Sequence, residues 1–103
     1  MLLMKREFFE AIRAGRKRTT LRWWRYPRVR AGQCHAVAGL GRVRITRVRA
    51  VRASGLTDRQ ARSDGFADAR SLRAALRRIY PGIAGKSSAG GRRLYLVHFD
   101  LLE

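Results

Sequence analysis

Between residues 42 and 52 apolar and basic side chains alternate, and the alternation changes sides partway along. Val43 and Ile45 alternate with Arg42 and Arg44, whereas beyond Thr46 the apolar residues are Val48 and Ala50, set against Arg47 and Arg49. Strand side chains repeat every two residues, so a change of parity without a break implies one inserted residue, a bulge near Thr46. A bulged strand bends sharply, as the wall of a small barrel must. Its arginines then point outward, either as a ladder facing phosphates or as a solvated face. Residues 93–102 are apolar on both faces for most of their length, the pattern of a central strand.

The remaining segments fit around these two strands. Residues 1–4 read as a short buried strand or lead-in. Residues 5–14 read as a helix with Phe8, Phe9 and Ile12 on one face, stopped by Gly15. Residues 19–23 are β-branched and aromatic and predict a strand. A loop with Pro27 leads to a further strand over 33–38, and Gly39-Leu40-Gly41 forms a tight turn. Thr57 is placed to cap a short helix over 58–63, which closes in the turn Asp64-Gly65-Phe66. Asp68 or Ser71 caps a second helix running to Tyr80, with Leu72, Ala75, Leu76 and Ile79 at helical spacing. Residues 83–91, which include Lys86 and two closing glycines, predict a mobile loop ordered by a ligand. A chain of 103 residues holds one domain with a modest core, expected to span 1–103.

The formal net charge of +17 restricts the partners. A field of that sign concentrates polyanions and keeps copies of the chain apart, so a monomer is expected. Nucleic acid is the usual polyanion for a compact basic domain. A ribosomal or acidic protein, or an anionic membrane surface, is the blander partner. The 46% hydrophobic content argues against disorder. Cys34 is the single cysteine, so no intrachain disulfide and no cysteine zinc site can form, in keeping with a reducing compartment. The first residues place charge after a very short apolar run, the wrong order for a secretory signal, and no apolar run reaches membrane length. The expected location is the cytoplasm, without a membrane partner. His35 and His98 lack metal spacing, and phosphate-binding glycine loops, nucleophile elbows and zinc-protease motifs are missing. No metal and no cofactor are therefore expected.

Chemistry concentrates in Ala14-Gly15-Arg16-Lys17-Arg18-Thr19-Thr20-Leu21-Arg22. A strand of this composition along a cleft wall meets an anionic ligand at several points. Of the 24 basic residues only Lys5, Lys17 and Lys86 are lysines. Arginine suits bidentate phosphate contacts, but only lysine can surrender its proton when its surroundings lower its pKa. Lys17 and Thr20 are thus a pair able to act on a carbonyl. Trp23, Trp24 and Tyr26 among Arg22, Arg25, Arg28 and Arg30 form a basic and aromatic cluster. It either stacks bases, or one tryptophan fills the core and the other covers a barrel end. Asp64 is the best placed of the acids Asp58, Asp64 and Asp68, as a base or an orienting group. Its alternative role is to close the helix before it.

In this order the segments resemble the ASCH domain, a family of small β-barrels with a PUA-like fold. The resemblance rests on Gly15-Arg16-Lys17-Arg18-Thr19-Thr20-Leu21-Arg22, Arg30-Ala31-Gly32, Leu56-Thr57-Asp58, Asp64-Gly65-Phe66, Ile79-Tyr80-Pro81-Gly82 and a last strand with Val97 and Phe99. It implies an α+β fold: a barrel of five or six strands, helices at its ends, and a basic cleft associated with RNA binding. Within that family the chain is similar to small bacterial N4-acetylcytidine amidohydrolases, which use a lysine, a threonine and a glutamate. By position these fall on Lys17, Thr20 and Asp64. The resemblance implies that Lys17, unprotonated, activates the Thr20 hydroxyl towards an acetyl carbonyl while the acid orients the pair or relays a proton. Two positions depart from the pattern. Asp64 is one methylene shorter than glutamate, and Arg18 replaces a small hydroxyl residue.

Two functions follow, binding ranked first. The first is an RNA- or nucleic-acid-binding domain whose cleft lies beside residues 16–22, with Arg16, Arg18, Arg22, Trp24, Arg25 and Lys86 as contacts. The second is an amidohydrolase acting on an acetylated cytidine nucleoside through Lys17, Thr20 and Asp64. Ribonuclease action ranks below both, because no second base is well placed. A ribosomal-RNA-bound structural protein is the bland alternative. A closed pocket of nucleoside size favours the enzyme, and an open groove favours a polymer.

Overall fold

In the computed structural model, which describes residues 2–84 and 91–102, four antiparallel strands form one sheet: β1 (Thr19–Trp24), β2 (Cys34–Val37), β3 (Gly41–Val51) and β4 (Arg93–Leu102). Their order is β1-β4-β3-β2, so β4 is paired on both sides and β1 forms an edge. Both-sided burial explains why β4 is apolar over most of its length, with Leu94–Val97 and Phe99 buried. Leu94 and Leu96 enter one hydrophobic cluster, and Val97 and Phe99 enter another across the sheet.

The first cluster joins Val97 and Phe99 to Val43, Ile45 and Val37, with Phe9 and Ile12 of α1 (Phe9–Arg13). The second joins Leu94, Leu96 and Leu21 to Leu56, to Ala61 of α2 (Asp58–Ser63), and to Leu72 and Leu76 of α3 (Ala69–Ile79). Each fully buried side chain of this size contributes roughly 1.5–3 kcal/mol. The bulge lies where the alternation predicts it. Ile45 pairs with Phe99 and Arg47 with His98, leaving Thr46 as the extra residue. Arg42, Arg44 and Arg47 are exposed as expected, but Arg49 is half-buried, in register with Leu96.

The expected five or six strands are four among the described residues. Among the described residues the lead-in makes one backbone–backbone bond, Leu2 N–H to the Ala36 carbonyl, and the loop after β1 adds Gly32 N–H to the Ile45 carbonyl. These contacts curl the sheet's margins without making a further ladder. No helix among the described residues is long and apolar enough to cross a membrane.

The helix expected over 5–14 divides into a 3-10 turn (Arg6–Phe8) and α1. Lys5 provides no side-chain cap, and the Phe8 N–H bonds the Lys5 carbonyl at 3.1 Å, tightening the first turn. The other helix starts match expectation. Thr57 and Gln60 form a reciprocal capping box on α2, and the Asp68 carboxylate accepts from Ser71 N–H at α3. Ile79, expected on the buried face of α3, is 48% exposed, because it lies in the last turn beside an open cleft.

Gly15 ends α1 with φ +79°. The Gly15 N–H bonds the Ile12 carbonyl and the Arg16 N–H bonds the Ala11 carbonyl, a Schellman closure. It turns the chain into β1 and so aims residues 17–22. An added Cβ meets only the Arg18 guanidinium at 3.5 Å, so the penalty at this position is conformational rather than steric. Gly15→Ala is expected to lower unfolding stability by about 1–2 kcal/mol in urea denaturation. An unchanged midpoint and slope would contradict this account of the turn.

Candidate functional site

Residues between the α1 stop and β1 are pinned from both sides. The Lys17 N–H bonds the Ala11 carbonyl at 3.1 Å, the Arg18 N–H bonds the Ser63 carbonyl at 2.8 Å, and the Phe99 N–H bonds the Arg18 carbonyl at 3.0 Å. With its backbone held to α1, Lys17 has its side chain carried inward, where the residue is 4% exposed. An ammonium there needs acceptors for its three hydrogens. Lys17 Nζ donates to the Thr19 carbonyl at 2.9 Å and to the Asp64 carbonyl at 2.5 Å. It lies 3.5 Å from Asp64 Oδ1 and 4.5 Å from the centre of the Phe8 ring. Asp64, the residue closing α2, therefore serves Lys17 with both its carbonyl and its carboxylate.

Lys17, Thr20, Arg22 and Asp64 line one cleft of about 360 Å³. Its remaining walls are largely apolar, with Leu21, Phe66, Leu76 and Tyr80 among them. The volume is at the small end of ligand sites, roughly 300–1,000 Å³, and the cleft is only partly enclosed. Among the described residues no group of three or more histidine, cysteine or acidic side chains is arranged to hold a metal ion.

The hydroxyls divide differently from the sequence expectation. Thr19, which sequence reasoning passed over, donates its Oγ1 hydrogen to Asp64 Oδ1 at 3.1 Å. Thr20 Oγ1 accepts from Arg22 Nε at 3.3 Å, and Arg22 also donates to the Leu3 carbonyl. No hydrogen bond joins Lys17 Nζ to the Thr20 hydroxyl among the described residues. Phe8 is the other omission: the sequence sets it on one apolar face with Phe9 and Ile12, whereas the structure turns it to the cleft while Phe9 and Ile12 enter the first cluster.

The expected nucleic-acid contacts scatter. Arg22 enters the cleft, but Arg16 and Arg18 are exposed on the far side of the Lys17 backbone. Arg16 pairs with Glu10 at 3.1 Å, and Arg18 Nε donates to the Gly15 carbonyl at 3.1 Å. Trp24 is half-buried against the first cluster, its ring 6.1 Å from that of Tyr95, while Trp23 packs into the second beside Tyr80. Arg25 is exposed in the following loop. Lys86, with most of the loop expected over 83–91, lies outside the described residues.

Burial moves both members of the central pair towards their neutral forms. Desolvation lowers the Lys17 pKa, opposed by the charge and hydrogen bond of Asp64 and aided by Arg22. Desolvation raises Asp64 to about 6, opposed by the Lys17 charge, the Thr19 bond and Arg22. Burial also lowers Arg22, although a guanidinium keeps its proton at any working pH.

A native carboxyl with a raised pKa binds more protons than its unfolded counterpart, so its stabilising effect is complete below pH 3.8 and lost as pH rises through about 6. Relative to Asp64→Asn, the protein is expected to lose on the order of 2–3 kcal/mol across that window. Urea denaturation at several pH values measures it. Parallel pH profiles for the two proteins would contradict a buried, shifted Asp64.

No protein-family model matches the chain, and no curated protein matches it in sequence. Solved structures do match in shape. The hypothetical protein PH0355 superposes with a TM-score of 0.74 at 14% identity, over 97% of this chain and 95% of that one. A protein from Enterococcus faecalis assigned to family DUF984 gives 0.66 at 15% identity, covering 93% of this chain and 70% of its own. An ASCH domain from Lactobacillus crispatus gives 0.63 at 19% identity, covering 89% and 68%. Four curled antiparallel strands with helices packed against them are thus the fold this chain shares with an ASCH domain.

Proposed function

We propose that the cleft binds an acetylated cytidine unit and hydrolyses its amide. The observation that carries this reading is the convergence of Lys17, Thr20 and Asp64 on one small, mostly apolar cleft, with Lys17 buried. Amide hydrolysis at neutral pH needs a nucleophile whose proton is removed and an oxyanion that is stabilised. The lowered Lys17 pKa favours a neutral amine, which takes the Thr20 hydroxyl proton as Thr20 Oγ1 forms a bond to the acetyl carbonyl carbon. Arg22, already bonded to Thr20 Oγ1, offers a fixed positive charge to the developing oxyanion. The proton held by Lys17 passes to the departing amine as the C–N bond breaks, and water then releases acetate from Thr20. Asp64 holds Lys17 and Thr19 in place and sets the lysine's basicity through its charge.

In the hydrolase reading, Lys17 Nζ reaches the Thr20 hydroxyl by giving up its bond to the adjacent Thr19 carbonyl. A glutamate would carry its carboxylate one methylene further than Asp64, so the shorter side chain weights the acid towards support rather than proton transfer. Nucleic-acid binding stands beside this as the reading favoured by a specific fact, the net charge of +17 with exposed arginines on β3 and beside α1.

Incubation with N4-acetylcytidine and chromatographic detection of cytidine tests the hydrolase. Thr20→Ala is expected to reduce kcat/KM by a factor on the order of a thousand or more, and Lys17→Met comparably. Thr19→Val retains the nucleophile and is expected to cost far less. Full activity in Thr20→Ala would rule out the threonine mechanism. Absence of cytidine release from the unaltered protein would remove the hydrolase reading altogether.

A further inference from the structure

Two shallow depressions continue the cleft around the outside of Phe8 and Phe66. The first, about 580 Å³, shares Lys5, Phe8, Phe66, Ala75 and Ile79 with the cleft and adds Arg78. The second, about 640 Å³, shares Ala11, Gly65 and Phe66 with the first and adds Arg16, Arg18 and Arg62. Phe66 borders all three. The path thus runs from the Lys17 cleft across the tilted Phe8–Phe66 pair, whose ring centres are 6.0 Å apart, to a basic hollow behind α1. Exposed cations stand along it at Lys5 and Arg78, then at Arg16, Arg18 and Arg62. Acids are few: Glu7 lines the first depression, and Glu10 is already engaged by Arg16.

We propose that this path is a track for a single-stranded polynucleotide, and that the unit in the cleft belongs to a strand rather than to a free nucleoside. The inference rests on the cleft being the base-binding end proposed above. Alternation of apolar and aromatic surface with spaced cations matches a strand whose bases and sugars alternate with phosphates. A free nucleoside has no charge and makes no use of Arg78, Arg18 or Arg62, which lie outside the cleft. The expected contacts are Lys5 and Arg78 to the phosphates nearest the cleft, and Arg18 and Arg62 to those further along. Arg16 contributes less, because Glu10 holds it.

The test is a fluorescence titration of the full chain with a short labelled cytidine-containing RNA, and with the matching DNA, over a range of salt. Two charge-matched triple variants are compared with the unaltered protein: Arg18→Glu, Arg62→Glu, Arg78→Glu along the track, and Arg42→Glu, Arg44→Glu, Arg47→Glu on the exposed surface of β3. Circular dichroism checks that each remains folded, and Arg→Gln versions replace any that does not. The track variant is expected to lose more than about tenfold in affinity. For a single strand, its plot of log affinity against log salt flattens by about 0.7 per phosphate contact removed. The β3 variant is expected to change far less.

Equal losses in the two variants would show diffuse attraction and overturn the track, as would an unchanged track variant. Displacement of the RNA by a polyglutamate peptide of equal charge as readily as by unlabelled strand would also overturn it. A preference between RNA and DNA assigns the strand type. Release of cytidine from free N4-acetylcytidine by the same unaltered protein is read separately. Its absence removes the hydrolase while the titration still decides the track.

Discussion

A lysine held at 4% exposure in so small a protein is the constraint on which the site depends. Lys17 Nζ is kept by two backbone carbonyls, one carboxylate and an aromatic face, drawn from β1, the end of α2 and the turn before α1. Removing a partner from a buried ion pair leaves an uncompensated charge, which costs about 3–5 kcal/mol. The arrangement therefore resists simplification one residue at a time. Such burial is also the property that the proposed hydrolase asks of Lys17. An apolar side chain would fill the space without desolvating an ion, whereas an ammonium pushed towards its neutral form becomes a base.

The scaffold explains how three distant segments reach Lys17. Central strand β4 presents Leu94 and Leu96 to one cluster and Val97 and Phe99 to the other, so both faces of the sheet are anchored to it. Edge strand β1 pairs with β4 along one side only, and the cleft opens beside it, bordered by α3. The Schellman closure at Gly15 delivers the chain to that edge with Lys17 facing in and Arg16 and Arg18 facing out. One local turn thereby separates a buried lysine from two exposed arginines.

Much of this was legible in the residues. Parity in β3 located the bulge, predominant apolarity on both faces located the central strand, and Thr57 and the choice of Asp68 or Ser71 marked two helix starts, because period and capping are local properties. Lys17, Thr20 and Asp64 were grouped through the resemblance in segment order, and the structure places all three on one cleft. Their bonding was not legible, because which of two adjacent hydroxyls meets Asp64 depends on how α2 docks against β1, and that is tertiary. Thr19 is the one that does. The tryptophans show the same limit: both fit a stacking platform in sequence, yet each packs against a different cluster because β1 lies between the two. Arg49 likewise reads as solvated by alternation, while its Nε is buried and has no hydrogen-bond partner among the described residues.

The state of Lys17 tests the account most directly. With lysine only at positions 5, 17 and 86, side-chain ¹⁵N and ¹³C labelling gives few signals, and Lys17→Met assigns the one that matters. An NMR titration of the folded protein is predicted to place Lys17 clearly below the ordinary lysine value of 10.5, and to move it lower still in Asp64→Asn, where an opposing charge is lost. A Lys17 pKa at or above 10.5 would contradict the claim that burial outweighs Asp64, and with it the case for Lys17 as a base.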